Sequence, residues 1–326
     1  MNISGKTILI TGGSGSWGRE LTAQLLSRKP TKIIIYSRGE ISQVAMQREF
    51  NNPVLEFVIG DVRDESAIDR VMRGIDYVFH LAALKHVPIC ENQPQEAIQT
   101  NIIGTKNVIN AAINHRVKKF IDVSTDKAVN PINIYGFTKG IGERLSIQAN
   151  SLTKDTDFIC IRGGNVLGTN GSVVPYIINQ IKTGEVQITD KRMTRFFLTL
   201  SEAIGLLFQA VYMGIGGETY VMNMPSFYIK DLVDILIENY HPGTKIKEIG
   251  AREGEKTHEI LISEYEIYRT EFINEDYYVI YPQIKTGREY QHRDNGNLVP
   301  RHGLTSEDNI KNKDYLRELL IKGGWL

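Results

Sequence analysis

The chain predicts an α/β fold, a doubly wound parallel sheet with a smaller, discontinuous carboxyl-terminal lobe. Three observations carry this. Short β-branched runs alternate with helical patterns through the first half, the order that builds a parallel sheet with helices on both faces. A glycine-rich turn, Gly12-x-x-Gly15-x-x-Gly18, joins the first strand to the first helix. After Gly164 the alternation stops, and glycine-rich and then charged segments take over.

The size and charge narrow the function. A chain of 326 residues suits one large or two modest lobes. Lysine plus arginine (38) equals aspartate plus glutamate (38), so no charge excess favours nucleic acid or an anionic membrane. Cys90 and Cys160 stand alone, which argues against a disulfide framework or a metal site and for a reducing compartment. The opening residues lack the apolar core of a signal peptide, and no apolar stretch approaches the roughly 20 residues of a membrane span. The expected location is cytoplasmic.

Residues 7–10 read as the first strand, and the helix after the turn is apolar at Leu21, Leu25 and Leu26. Strand, glycine turn and helix together let backbone N–H groups and a helix amino terminus face a pyrophosphate. Gly12, Ser14, Gly15, Ser16, Trp17 and Gly18 are therefore the first candidate cofactor contacts; the plain alternative is a flexible loop. Residues 32–36 form a second strand ending in Ser37-Arg38. An acid there would accept the ribose 2′-hydroxyl of NAD, whereas arginine pairs with the 2′-phosphate of NADP, so NADP is favoured over NAD. Without such a partner Arg38 is a solvated loop residue.

Residues 55–60 read as the third strand and lead to Asp61-Val62. Asp61 suits either the adenine edge or the cap of the next helix. Residues 77–81 form a fourth strand running into Ala82-Ala83-Leu84-Lys85-His86. Small side chains at Ala82 and Ala83 let the backbone lie against a cofactor. Lys85 and His86 then face the cleft, unless they are merely solvated. Residues 94–115 read as a long helix, broken or closely packed at Gly104, in which Asn101 suits a structural amide as well as a catalytic one. Strands follow at 119–123 and 158–161, helices at 175–182 and 201–213, and a strand near 218–224 that returns to the main sheet. The expected division is a dinucleotide-binding domain over 1–164 and a substrate lobe with a tail over 165–326. Residues 289–314 are polar and weakly patterned, expected to wrap the surface or meet another subunit.

Two groups of chemistry fall between residues 124 and 139. Tyr135-x-x-x-Lys139 puts both side chains on one helix face, where the ammonium favours the phenolate and makes a usable base. Ser124-Thr125-Asp126-Lys127 lies at the carboxyl end of a strand, where open α/β sheets place ligands, and offers hydroxyl, carboxylate and amine together. Tyr-x-x-x-Lys alone would ordinarily be an exposed lysine near a packed tyrosine. Further on, Arg195 and Arg252 have the forked donors that suit a diphosphate, although each singly reads as a surface ion pair.

Together these residues resemble the extended short-chain dehydrogenase/reductase superfamily, a Rossmann fold. Within it they resemble the inverting UDP-N-acetylglucosamine 4,6-dehydratases of the pseudaminic-acid pathway type. Matching segments include Ile35-Tyr36-Ser37-Arg38, Gly60-Asp61-Val62-Arg63-Asp64, Ala82 through Pro88, Ser124 through Ala128 with Asn130-Pro131, Ile188-Thr189-Asp190, Met193-Thr194-Arg195-Phe196 and Gly254-Glu255-Lys256. The resemblance implies a homo-oligomer that keeps NADP bound and acts on a UDP-sugar. Tyr135 with Lys139 would take the 4-hydroxyl proton as hydride leaves carbon 4, with Thr125 or Ser124 aligning that hydroxyl. Lys127 would be the base at carbon 5, Asp126 the acid that helps the carbon-6 hydroxyl leave, and hydride would return to carbon 6. Implied substrate contacts are Lys85, His86, Asn165, Val173, Thr189, Arg195, Arg252 and Glu255.

Two departures from the family pattern, at Gly163 and Asn170, bear on the sugar and its stereochemistry rather than on the reaction type. Rival readings are a nucleotide-sugar 4-epimerase, an enzyme releasing a 5,6-unsaturated sugar nucleotide, and a non-catalytic NADP-sensing scaffold on the same fold.

Overall fold

The computed structural model describes residues 3–169, 171–250, 253–274, 276–291 and 299–326, with the side chain of residue 274 left aside. Its centre is a sheet of nine strands: β1 (Thr7–Thr11), β2 (Lys32–Ser37), β3 (Leu55–Ile59), β4 (Tyr77–His80), β5 (Lys119–Thr125), β6 (Asp157–Gly163), β7 (Thr219–Met222), β8 (Thr270–Asn274) and β9 (Tyr277–Ile280). In space they run β8-β9-β7-β6-β5-β4-β1-β2-β3. From β3 to β7 every pairing is parallel, and β9 and β8 close that edge antiparallel.

The strands are apolar on both faces because both faces are covered. Ile8, Ile10, Ile33, Ile35, Ile121 and Ile159 point to one side, against Leu21, Leu25 and the helix Leu200–Met213. Leu9, Ile34, Val78, Phe120 and Phe158 point to the other, against Val108, Ile109 and Ala112. This is the doubly wound parallel sheet the alternation predicts. The strand order reverses at β1, between β2 and β4, which opens the crevice where such sheets take ligands.

The helical run expected over 94–115 is continuous but changes pitch. Pro94–Ile98 and Thr105–Asn114 are α-helical, and Gln99–Gly104 between them is a π-turn. Gly104 permits close packing there, since a Cβ on it would lie 2.6 Å from Val62 Cγ2.

Outside the main sheet, a second core gathers Ile177, Phe197, Phe227, Leu232, Leu236, Leu316 and Leu320. It is built from the helices Val173–Ile181, Ile229–Tyr240 and Lys313–Lys322 beside a small sheet of Asn165–Val166, Thr194–Leu198 and Ser226–Tyr228. The hairpin β8–β9, which no periodicity in the sequence predicts, belongs to the main sheet. The described part of 289–314 does more than wrap the surface. Its strand Gly303–Thr305 pairs with Ile260–Ser263, and Ser306 is buried.

Candidate active site

The carboxyl ends of β1 to β6 open into a cleft of about 860 Å³. Its floor is the glycine turn. Gly12 has φ +68°, and a Cβ on it would stand 2.9 Å from the Ala82 backbone, so the turn and the strand-end loop touch through bare backbone. Gly12, Gly15, Ser16 and Trp17 line the cleft. Ser14 lies beside it, its hydroxyl 2.9 Å from that of Ser37. Gly18 serves packing instead. A Cβ there would come 2.1 Å from Gly13 O, so its absence lets the first helix sit on the turn.

Ser37, Arg38, Asp61 and Val62 line one end of the cleft. The Arg38 side chain is half exposed, with Nη1 3.9 Å from Asp61 Oδ2. Burial pushes the Asp61 carboxyl up, but its hydrogen bonds from Arg63 more than offset this and hold it below the usual range. The helix Glu65–Val71 is capped by Asp64, whose Oδ1 accepts from Ala67 N at 2.9 Å, so the capping alternative for Asp61 is excluded.

Ala82, Ala83, Lys85 and His86 lie along the wall. Asn101 fixes their loop: its Oδ1 accepts from Leu84 N at 2.8 Å, and its Nδ2 donates to Leu84 O at 2.9 Å and to Thr138 Oγ1 at 3.0 Å. Asn101 is a buried structural amide, and Lys85 and His86 owe their placement to it.

Tyr135 and Lys139 project from the helix Ile134–Ala149, capped by Asn133 Oδ1 accepting from Gly136 N. Gly136 lets this helix approach the end of β5, since a Cβ there would lie 2.2 Å from Lys127 O. Lys139 Nζ pairs with the buried Asp122 at 3.3 Å. Burial pushes the Tyr135 phenol up, and Lys139, Lys127 and Thr125 pull it down without cancelling that effect. The lysine's pull towards the phenolate is thus opposed by burial, because the same packing that brings the ammonium close also penalises the anion. Ser124 and Thr125 line the cleft, and Ser124 Oγ is buried with no hydrogen-bond partner among the described residues.

The second group forms a compact charge cluster. Lys127 faces the cleft, with Nζ 3.0 Å from Asp126 Oδ1 and 3.2 Å from Glu259 Oε1. Asp126 sits behind the wall rather than on it, 2.9 Å from Thr125 Oγ1. Burial, with Glu259 adding to it, raises the Asp126 carboxyl above its ordinary value against the pull of Lys127. Burial lowers Lys127, but Asp126 and Glu259 outweigh it and keep the group an ammonium. Asp126 and Glu259, which position Lys127, also raise it.

Asn165 and Val173 also line the cleft. Thr189 and Glu255 do not. Arg195 is buried behind the cluster, donating to Thr194 O at 2.7 Å, Thr257 O at 3.0 Å and Lys256 O at 2.9 Å, with Glu255 at 3.4 Å. With its donors so committed it braces the lobe backbone instead of presenting a fork to a diphosphate. Arg252 and Asn170 lie outside the described residues. Gly163, at the end of β6, faces Trp17: a Cβ there would touch the indole at 3.7 Å.

Sequence reasoning missed Glu259 and Asp122. Glu259 closes a charged run where nothing distinguished it from its neighbours. Asp122 carried a usable signal, an acid inside an otherwise apolar buried strand.

A doubly wound sheet with a glycine turn at its switch point and a Tyr-x-x-x-Lys pair beside β5 is the arrangement of the extended short-chain dehydrogenase/reductases. More narrowly, the chain belongs to the family described as polysaccharide biosynthesis protein, whose model matches residues 8–282. A Campylobacter jejuni relative named UDP-N-acetylglucosamine 4,6-dehydratase (inverting) is 47% identical over 86% of this chain and 84% of its own. A Rickettsia akari relative named UDP-glucose 4-epimerase is 45% identical over 79% and 78%. A Methanocaldococcus jannaschii relative named only as an uncharacterized membrane protein is 45% identical over 85% and 86%. In this chain no described helix is long and apolar enough to cross a membrane. The X-ray structure of Pen from Bacillus thuringiensis superposes with a TM-score of 0.92, at 37% identity and full coverage of both chains.

Proposed function

We propose that the protein is a hydro-lyase that converts UDP-N-acetylglucosamine to a UDP-4-keto-6-deoxy sugar, with inversion at carbon 5. The observation that carries this reading is the Asp126–Lys127–Glu259 cluster beside the Tyr135–Lys139 pair, which puts proton-transfer groups for a second carbon next to those for the first. The glycine cradle and the unpartnered Ser124 hydroxyl fit a nicotinamide dinucleotide, and Arg38 at the cleft end favours NADP. When bound, the dinucleotide supplies the hydride acceptor and later the donor.

The protein's own groups handle protons. Tyr135 takes the proton of the 4-hydroxyl, assisted by Lys139 and Lys127, which oppose the burial that raises the phenol. The resulting ketone acidifies carbon 5, and Lys127 stands at the cleft wall to take that proton once it has passed on one of its own. Asp126, whose carboxyl burial raises above its ordinary value, is the acid that supplies the proton with which the carbon-6 hydroxyl leaves as water, one hydrogen bond from the cleft through Thr125. Lys85, His86, Asn165 and Val173 border the space left for the sugar nucleotide. The protein acts in solution as a homo-oligomer in the cytoplasm.

The names of the Rickettsia relatives favour a second reading, 4-epimerisation. That reaction uses the Tyr135–Lys139 pair and gives the acid/base cluster nothing to do. Incubating the protein with UDP-N-acetylglucosamine in deuterated water separates the two. Loss of one water with deuterium at carbon 5 is expected. Unchanged mass with an inverted carbon 4 would establish the epimerase instead, and a persistent vinyl signal would mean that the reaction stops at the alkene.

A further inference from the structure

Glu259 is the one member of the charge cluster that comes from the lobe and does not border the cleft. It begins the strand segment before Ile260, is buried, and is reached by two cations: Lys127 Nζ at 3.2 Å and Arg195 Nε at 3.6 Å, both through Oε1. Its other oxygen, Oε2, is buried without a hydrogen-bond partner among the described residues. Its backbone is held as firmly as its side chain, with Glu259 N donating to Ser306 Oγ at 2.9 Å and that hydroxyl lying 2.6 Å from Thr194 Oγ1. Burial pushes the carboxyl up, but Lys127 and Arg195 outweigh it and keep Glu259 ionised. Lys127 alone is a poor base, because it already carries its full set of protons. A group that can both face the sugar and shed a proton behind itself resolves this.

Resting on the dehydratase reading, we propose that Glu259 is the terminal proton acceptor for carbon 5, acting through Lys127 as a relay. Lys127 passes a proton from Nζ to Glu259 Oε1 and takes the carbon-5 proton in its place. The electron pair of the broken C–H bond stays in the enolate formed with the carbon-4 ketone. The net change is one carboxylate protonated and one enolate formed, and the ammonium is restored. As the cycle closes, Lys127 gives a proton to solvent through the cleft and takes the one on Glu259 in its place, so that carboxylate and ammonium are both restored. Arg195 compensates the carboxylate before the transfer, and its donors to lobe carbonyls keep Glu259 within reach of Lys127. Glu259 is thus a positioning and proton-accepting residue rather than one that touches the sugar.

Glu259→Gln keeps the size and a hydrogen-bonding oxygen but has no carboxylate to protonate. In the variant, substrate-dependent fluorescence of the reduced cofactor should appear within about threefold of the wild-type rate, because the Tyr135 step does not use this residue. Deuterium entry at carbon 5 and water loss should fall by about 100-fold or more, the range of a lost general base. Glu259→Asp should recover part of both. If Glu259→Gln exchanges and dehydrates at the wild-type rate, the assignment is overturned. It is also overturned if the variant loses 4-oxidation and elimination in equal measure and Glu259→Asp restores neither, since that marks a purely structural group. The wild-type arm keeps the two claims apart. If wild type neither exchanges nor dehydrates, the dehydratase reading falls and takes this one with it; if wild type does both and Glu259→Gln keeps pace, only the relay falls.

Discussion

Replacing Asn101 with leucine tests whether the loop that carries Lys85 and His86 is held by a single buried amide. The substitution nearly keeps the volume but removes both hydrogen bonds to Leu84, leaving one N–H and one C=O unsatisfied beside the cleft. Each orphaned buried group costs about 1–3 kcal/mol. The carbonyl falls at the low end, because Cys90 Sγ also approaches it at 3.7 Å. Thr138 keeps its own bond to Tyr135 O at 2.9 Å and adds little. The sum is about 2–4 kcal/mol, which in a chain of this size lowers Tm by about 3–6 °C. Thermal unfolding followed by circular dichroism reads this directly, and dinucleotide titration should show weakened binding as the loop loosens. A variant that melts within about 1 °C of wild type yet loses turnover would refute the reasoning, since Asn101 would then be a catalytic group.

Three other perturbations follow from the same contacts. Arg38→Asp removes the candidate 2′-phosphate partner, so NADP affinity should fall about 10- to 100-fold while NAD affinity holds or rises, as measured by titrating each dinucleotide; equal loss of both would count against Arg38 as the selector. Gly12→Ala forces a φ of +68° on a residue with a Cβ and drives that Cβ to 2.9 Å from Ala82, so dinucleotide binding should be lost with at least about 1–2 kcal/mol of stability in urea titration. For Glu266, burial is outweighed by Arg162 and the carboxyl is held at about 2, below its ordinary value of 4.5. Its stabilising effect is then complete above about pH 4.5 and lost as pH falls towards 2, so the stability gap between wild type and Glu266→Gln should narrow over that interval.

The parallel half of the sheet was legible because its signals are local. Ile33 to Tyr36 and Phe158 to Ile161 are apolar without alternation, as strands covered on both faces must be, and each is followed by a turn and a helical period. The glycine turn was legible because its residues are adjacent in sequence. The β8–β9 hairpin was not, since its interrupted run through Asn274 looks like loop until β7 offers it an edge to pair with. The same distinction explains the site. Tyr135 and Lys139 announce each other one helical turn apart, whereas Lys127 and Glu259 meet only through tertiary folding, across more than a hundred residues. Charge states were the least legible feature of all. The sequence places a lysine near a tyrosine, but whether burial or attraction wins depends on how much solvent the packing removes.

The origin of each group bears on the order of the chemistry. Everything assigned to carbon 4 is mounted on the sheet domain: Tyr135 and Lys139 on one helix, with Asp122 and Thr125 on the strand beneath it. The groups assigned to carbons 5 and 6 straddle a boundary, with Asp126 and Lys127 at the end of β5 and Glu259 and Arg195 reaching in from the lobe. The lobe is tied down close by, where Arg162 on β6 is clamped between Glu143 at 2.8 Å and Glu266 at 2.9 Å, all three buried. Removing one partner of such a buried cluster leaves an uncompensated charge and is destabilising by about 3–5 kcal/mol. The clamp therefore fixes the register between the segment after Ile260–Ser263 and the sheet, and with it the distance from Glu259 to Lys127. On the proposed mechanism, loosening the clamp while the chain stays folded should spare oxidation at carbon 4 and impair elimination. An epimerase built on the same sheet would have no use for that register.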